Sequence, residues 1–493
     1  MKKLITHTLV GFSSLLGIAQ NETDAVNLSF QSVSGSARSM AMGGANIASG
    51  ADLGAFNVNP AGLALIRNKG VSFTSEFSNR TIDTKFYENK KSSFKPKLNI
   101  SSAGFGSPMD VQTSGLWKNV NFGVSYNRLT SFYGIERSSG INSQSSLLDV
   151  FFDQVTDDGY FHINNHPNNY AFTAGLAWDA FLIDTIDTDQ GFAYVKAFDS
   201  KNQNQEIETI TSGSNDEVNI TFGGNHNNKL YIGGSVGIAM YDYTKTESIT
   251  ENVNSSDTLT NLKHFTYNRD LQTTGGGVNL KLGLIYRAND FFRIGGYFHS
   301  PTYYNLEDKW SSSISASYEG FEDFNYESNN GLYNYSYLTP LKAGAGVTFL
   351  FNKMGLLSVD YDYIDYGMGR FRSVSQNSYD FSSENTLVKN ALTKGSNLRL
   401  GTEWRFGKFY TRGGFAYYSN AYKDNQTANN GFQTTTFGIG LKGNNAFMDL
   451  TFTGTKHNTN HTYLYNPTGQ IEIQATEINQ YDFNLMLSVG FKL

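Results

Sequence analysis

The chain has 493 residues and no cysteine, which excludes a disulfide scaffold, a thiolate metal centre, a cysteine nucleophile and an acylated lipoprotein start. Proline is scarce at 7 residues, and no proline-rich linker or composition break marks a domain boundary. No apolar run resembles a membrane-spanning helix. Charge of either sign is modest, and the net value of −6 argues against a nucleic-acid partner. The chain also lacks a nucleophile elbow, a phosphate loop and a zinc motif. Gly275-Gly276-Gly277 opens a strand and precedes no helix, so it is not a nucleotide loop. An enzyme is not expected, and neither a cofactor nor a metal.

What is present is alternation. In Tyr481 to Leu493, Phe483, Leu485, Leu487, Val489, Phe491 and Leu493 share one face, against Asp482, Asn484, Met486, Ser488, Gly490 and Lys492. Side chains alternate across a strand, so this segment has one apolar and one wet side. Comparable segments fall at about 71–79, 98–107, 119–130, 214–224, 229–245, 262–287, 290–318, 332–351, 355–366, 396–407, 409–420, 432–443, 446–458 and 481–493. Connections alternate between tiny ones, such as Asn225–Asn228, Ala288-Asn289, Gly407-Lys408 and Asn444-Asn445, and longer ones at 80–97, 246–261, 367–395 and 459–480. Short turns on the periplasmic side and long loops outside are the habit of bacterial barrels. Aromatics at 14% suit girdles at the lipid boundary, and 39% hydrophobic content suits a barrel with a polar inner face. The expected fold is all-β, a 14-stranded antiparallel transmembrane β-barrel over residues 71–493.

The chain's start carries an export signal: basic Met1-Lys2-Lys3, apolar Leu4 to Ile18, and small residues before Gln20. Residues 1–19 are therefore expected to be a signal peptide, and the destination the Gram-negative outer membrane. Two regions break the strand rhythm. Residues 131–213 form a long extracellular insertion in which Leu148, Phe151, Phe152 and Val155, then Phe172, Leu176, Ala180 and Ile183, fall at helical spacing. These faces either pack together against the barrel rim or line a substrate entrance, with Leu148, Phe151, Phe152, Phe172 and Leu176 as candidate binding residues. Residues 20–70 are rich in small residues, too polar for lipid and too apolar for a free tail. The barrel interior is the expected place for them.

Within that stretch run Gly35-Ser36-Ala37-Arg38, Met42-Gly43-Gly44-Ala45 and Asn57-Val58-Asn59-Pro60-Ala61-Gly62-Leu63. This resembles the N-terminal hatch of the FadL/TodX family, the outer-membrane transporters of long-chain fatty acids and other hydrophobic compounds. Further resemblance lies in Leu282–Arg287, Tyr361–Tyr366 and Leu398–Trp404, and the Asn- and Tyr-rich tone is similar to the Bacteroidota branch. The resemblance implies passive transport of fatty acids or aromatic hydrocarbons through an apolar lumen pocket, gated by the hatch and without ATP. It also implies sideways exit at a kinked strand, for which Asn119–Thr130 around Gly123 is the candidate. Gly43, Gly44, Asn59, Pro60, Ala61 and Gly62 are the expected gating residues. Outer-membrane lipid and the barrel-assembly machinery are the implied partners. Residues 131–213 match no loop of the family, so no substrate contacts carry over. Some relatives of this fold act instead as surface-protein shuttles of a secretion system; their hatch motif tends to have Lys where this chain has Gly62.

Three smaller clusters have plainer readings. Asp360 and Asp362 point inward on one strand while Asp365 points away, which favours a hydrogen-bond ladder with Arg399, Arg405 or Lys342 over a calcium site. His457/His461 and His162/His166 are spaced by four, a spacing that binds metal only on a helix, and neither segment reads as one.

Overall fold

The computed structural model describes residues 20–110, 116–157, 170–189, 191–199, 201–254, 261–374, 379–424, 429–465 and 474–493. The proposed signal peptide and the pair His162/His166 lie outside the described residues.

Fourteen antiparallel staves close into a cylinder. The first six are β1 (Gly70–Phe86), β2 (Asn89–Asp110), β3 (Trp117–Ser131, extended by Gly134–Asn142), β4 (Gln203–His226), β5 (Leu230–Asn252) and β6 (Leu262–Arg287). Three interrupted staves follow: β7 (Phe292–His299 and Tyr303–Tyr318), β8 (Gly331–Leu338 and Lys342–Phe351) and β9 (Gly355–Asp365 and Arg370–Ser373). The last five are β10 (Lys394–Phe406), β11 (Phe409–Tyr418), β12 (Phe432–Lys442), β13 (Ala446–His457) and β14 (Thr476–Lys492). The seam joins β1 to β14 from Gly70↔Lys492 to Lys85↔Glu477.

The two faces of each stave differ as alternation requires. On β6, Leu280 and Leu282 are 59% and 61% exposed while the alternating Asn279 and Lys281 are buried. On β14, Phe483, Leu487 and Phe491 are exposed, and Met486 and Ser488 are buried. An apolar surface that encircles the molecule has no counterpart on a water-soluble monomer; its solvent is bilayer hydrocarbon. No described helix is long and apolar enough to cross a membrane.

Several expectations are corrected. The interval 80–97 is no loop: β1 and β2 form one hairpin closed at Tyr87-Glu88. Part of the 131–213 excursion is also wall, because Gly134–Asn142 pairs with β4 from Gly134↔Thr211 to Asn142↔Gln203. In these extensions the buried face includes polar residues such as Asn142, Gln203 and Gln205, so the alternation fades, although Ile207, Thr209, Ile210 and Thr211 keep strand propensity. The stretches 290–318 and 332–351 are each cut, around Pro301 and Pro340. Proline has no N–H for the ladder. The two cuts are tied together, Thr302 N–H donating to Thr339 Oγ1 (2.8 Å) and Thr339 N–H to Thr302 O (3.0 Å). Gly123 marks no kink, being paired on both sides with Gly106 and Thr221; the irregular positions of β3 lie at Trp117/Asn119 and Arg128/Thr130. The expected loop 367–395 contains a helix, Ser382–Ala391.

Of the two expected helices in 131–213, the first is Leu147–Asp157; the second is short, Ala174–Asp179, with Phe172 before it and Ile183 in a following hairpin strand. They form a cap over the wall extensions. Leu148, Phe151, Val155, Leu176 and Ala180 are buried in one cluster with Ile249, Phe265, Tyr267 and Ile314.

Candidate functional site

Residues 20–69 thread the cylinder and bond to its inward side chains throughout. The first turn is a helix, α1 (Glu22–Ser29), capped reciprocally by Asn21 and Asp24. It lies in an aromatic nest: Tyr337 Oη donates to Ala25 O (3.2 Å) and shares a bond with Ser29 Oγ (2.8 Å), and Gln20 Nε2 donates to Asp308 Oδ2 (2.6 Å). Burial, with the neighbouring Asp308 charge, pushes the Asp24 carboxyl up to about 7.

A second helix, α2 (Ala37–Ala41), is capped by Ser36 and held at both ends by the wall. Ala37 N–H donates to Ser488 Oγ (2.7 Å), Thr451 Oγ1 to Ala37 O (2.6 Å) and Thr436 Oγ1 to Ala41 O (2.9 Å). Arg38 adds the ionic tie, Nε at 2.8 Å and Nη2 at 3.2 Å from the Glu403 carboxylate. That carboxylate also accepts from Arg412 Nε (2.6 Å), which reaches Asp449 through Nη1 (2.7 Å). Gly43 and Gly44 then turn the chain with φ of +62° and +76°, where a side chain is strained. A Cβ on Gly43 would meet the β11 backbone at Phe415.

The Asn-Pro-Ala-Gly element forms a 3-10 turn, Pro60–Leu65, pressed on β4–β6. Asn59 satisfies both of its ends. Its Oδ1 caps the turn by accepting from Ala61 N–H (3.0 Å), while Nδ2 donates to Ile47 O (2.7 Å), Leu284 O (3.3 Å) and Gly296 O (3.4 Å). Pro60 fits the first position, where no N–H is needed. Ala61 packs with Ala64, Tyr231 and Ile285. Gly62 donates to Asn59 O (3.0 Å) and accepts from Ala51 N–H (3.2 Å). The wall leaves room by omitting side chains opposite: a Cβ on Gly283 or Gly233 would collide with Asn59 or Pro60. Five of the six expected hatch residues thus sit at the contact between segment and wall, while Gly62 packs within the segment against Gly50 and Ala51. Asn57 O, beside them, accepts from Lys281 Nζ (3.3 Å), which is ion-paired with Glu217.

Sequence reading missed the wall's half of this contact. Asn121 Nδ2 donates to Leu63 O and Ile66 O (both 2.7 Å), Asn127 Nδ2 to Gly54 O (2.8 Å), and Asp360 Oδ2 accepts from Ile47 N–H (2.8 Å). The signal was there: amides and carboxylates at inward strand positions need partners. Arg38, within the quoted run, was also not singled out. The inner ladder is as expected for Asp362, which pairs with Arg399 and lies 3.8 Å from Lys342, but Arg405 turns outward and bonds Gly407 O.

A lumen cavity of about 240 Å³ opens beside the segment. Phe30, Tyr418 and Phe432 make one wall, Tyr418 and Phe432 stacked 4.4 Å apart. Val33, Met40 and Gly43, with Phe30, Ser32 and Ser34, supply the segment's share. Further along the same arc of wall stand His457, whose ring lies 5.1 Å from that of Phe432, and the pair Arg80 and Asp482, joined by two bonds of 2.7 and 2.9 Å, with His457 3.0 Å from the same carboxylate. His457 is thus a partner of Asp482, and no group of three metal-ligating side chains exists among the described residues.

The candidate binding residues of the insertion lie elsewhere. Leu148, Phe151 and Leu176 are buried in the cap, Phe151 against Tyr267 (5.1 Å), and the partly buried Phe172 rests on Trp310 (5.9 Å). Phe152 stands at the edge under Lys196. None of the five borders the lumen cavity.

No protein-family model and no curated protein matches the chain. Solved structures do. The crystal structure of the P. putida toluene transporter TodX aligns at 12% identity over 94% of this chain and 99% of that one, with a TM-score of 0.53. A Pseudomonas aeruginosa FadL homologue aligns at 11% identity over 94% and 99%, with a TM-score of 0.55. The chain has the FadL/TodX fold. The FadL/TodX likeness covers the barrel from end to end, and at these identities it is a likeness of architecture.

Proposed function

We propose that the chain is an outer-membrane transporter that passes small hydrophobic compounds through its lumen without an energy source, with residues 20–69 as the hatch. The lumen cavity carries this reading, because the hatch itself forms one side of it: a molecule seated there touches Val33, Met40 and Gly43 directly. Its size favours a compact client. An apolar void of about 150 Å³ accepts benzene, and this one measures about 240 Å³, enough for a substituted ring. Its aromatic part, Phe30, Tyr418 and Phe432, adjoins the Arg80–Asp482 pair, Glu76, Arg128 and a run of Ser and Thr, which suits a ring bearing polar substituents. The likeness to a barrel described as a toluene transporter points the same way.

The test is uptake of radiolabelled toluene and palmitate by a Gram-negative host lacking its own carriers. Expression should raise toluene uptake severalfold, and Phe432→Asp should abolish the gain while the barrel still assembles. No gain with a correctly assembled barrel sinks the transport reading, and co-purification of secreted proteins with sorting domains would establish the shuttle instead.

A further inference from the structure

We propose a lipid site separate from the lumen cavity: a groove on the bilayer-facing surface of β3–β6 that holds one acyl chain of a phospholipid from the periplasmic leaflet. The groove is open toward the bilayer, offers about 730 Å³ of space and lies beside the short turn between β4 and β5, hence at the periplasmic end. Pairing registers show how it arises. One outward row runs Val120, Gly224, Ile232, Leu284, and the next runs Phe122, Phe222, Gly234, Leu282. In each row a glycine stands between large apolar neighbours, so Gly224 and Gly234 cut a diagonal trough in an otherwise full surface. Trp117 lies across Gly224, where an added Cβ would come within 2.7 Å of the indole, and closes the trough's lower end.

Two observations select a phospholipid. The trough is continuous with the exposed apolar belt of Phe222, Ile232 and Leu282, so bilayer chains already bathe it. Hydrocarbon gains nothing hydrophobically by leaving other hydrocarbon; the preference comes from contact on three sides rather than one. At the rim stand Lys118 and Lys229, both exposed and, among the described residues, in no ion pair, while the nearby Arg287 is already matched by Asp290. Free cations beside an acyl slot match a phosphate one glycerol away.

Native mass spectrometry of the full chain, taken from bilayers of dioleoylphosphatidylglycerol, tests this. The natural protein should retain one lipid. Gly234→Leu should cut retention at least tenfold; its added Cβ meets nothing closer than Leu282 Cδ2 at 3.7 Å, so the new side chain fills the trough without strain. Lys118→Gln with Lys229→Gln should lower retention severalfold. As a measurement on the unfilled groove, brominated acyl chains should quench Trp117 at a lower lipid fraction than Trp404, which is equally exposed on the opposite wall. Undiminished retention by assembled Gly234→Leu, equal quenching of the two indoles, or a retained second barrel in place of lipid would overturn the proposal.

Discussion

Asn59 links the hatch to the wall with one amide: its oxygen caps the 3-10 turn and its nitrogen reaches carbonyls on both β6 and β7. The halves separate by substitution. Asn59→Asp keeps the cap and loses the donors; Asn59→Ala loses both, at about 1 kcal/mol for the cap plus the cost of stranding buried carbonyls. Both variants should still form barrels, with steady conductance in planar bilayers rising in the order natural, Asp, Ala. A flat series would deny this residue any part in holding the hatch. Asp24 supplies a pH dependence. Its carboxyl keeps a proton in the folded state up to about 7, where the unfolded chain has lost it above the ordinary 3.8. The folded state therefore binds more protons across that window, and the docking of α1 weakens as pH rises from about 4 to about 7, then levels off. Asp308 and Glu22 add to the effect and Lys245 opposes it. The hydrogen-exchange protection of residues 22–29, taken relative to the intrinsic exchange rate at each pH, should be greater at pH 5 than at pH 8, and Asp24→Asn should remove that difference.

Among the elements, α2 and the cap helix Leu147–Asp157 are held by different physics. An ionic tie secures α2 to a carboxylate that already serves Arg412, so Arg38→Met leaves Glu403 with one cation. Because Arg38 is partly exposed, a loss of about 1–2 kcal/mol, below the 3–5 typical of a fully buried pair, is expected; it should show as raised protease sensitivity near residues 36–45. The cap helix is held by burial. Phe151→Ala should cost about 3–5 kcal/mol locally and expose the cap to limited proteolysis, while heat-modifiable migration of the barrel stays unchanged. The elements also show what a sequence makes legible. Helical spacing at Leu148, Phe151 and Val155 was readable because one face is dry and the other wet. The upper halves of β4 and β5 were not, since the face they bury under the cap carries Gln203, Gln205 and Glu251 beside Ile249, so polarity does not choose a face. Ser382–Ala391 was hidden for a related reason: only Val388 is buried among its polar residues, so no stripe announces it. Alternation found the hatch residues' surroundings but not their partners, for a buried Asn121 and an exposed asparagine are written alike.

For the molecule as a whole, the division between lipid and lumen faces sets which substitutions are tolerated. Leu487→Arg places a charge in hydrocarbon and should destabilise the barrel by about 2–4 kcal/mol if near midplane, measured by urea unfolding in vesicles. Thr434→Val, at the lumen surface, should change stability far less. The seam between β1 and β14 has a consequence of its own. Because the opening stave takes its neighbour from the final residues, Gly70 beside Lys492, the sheet keeps two raw margins until synthesis is complete. Unpaired margins invite strangers, so a version clipped after residue 475 should precipitate rather than insert.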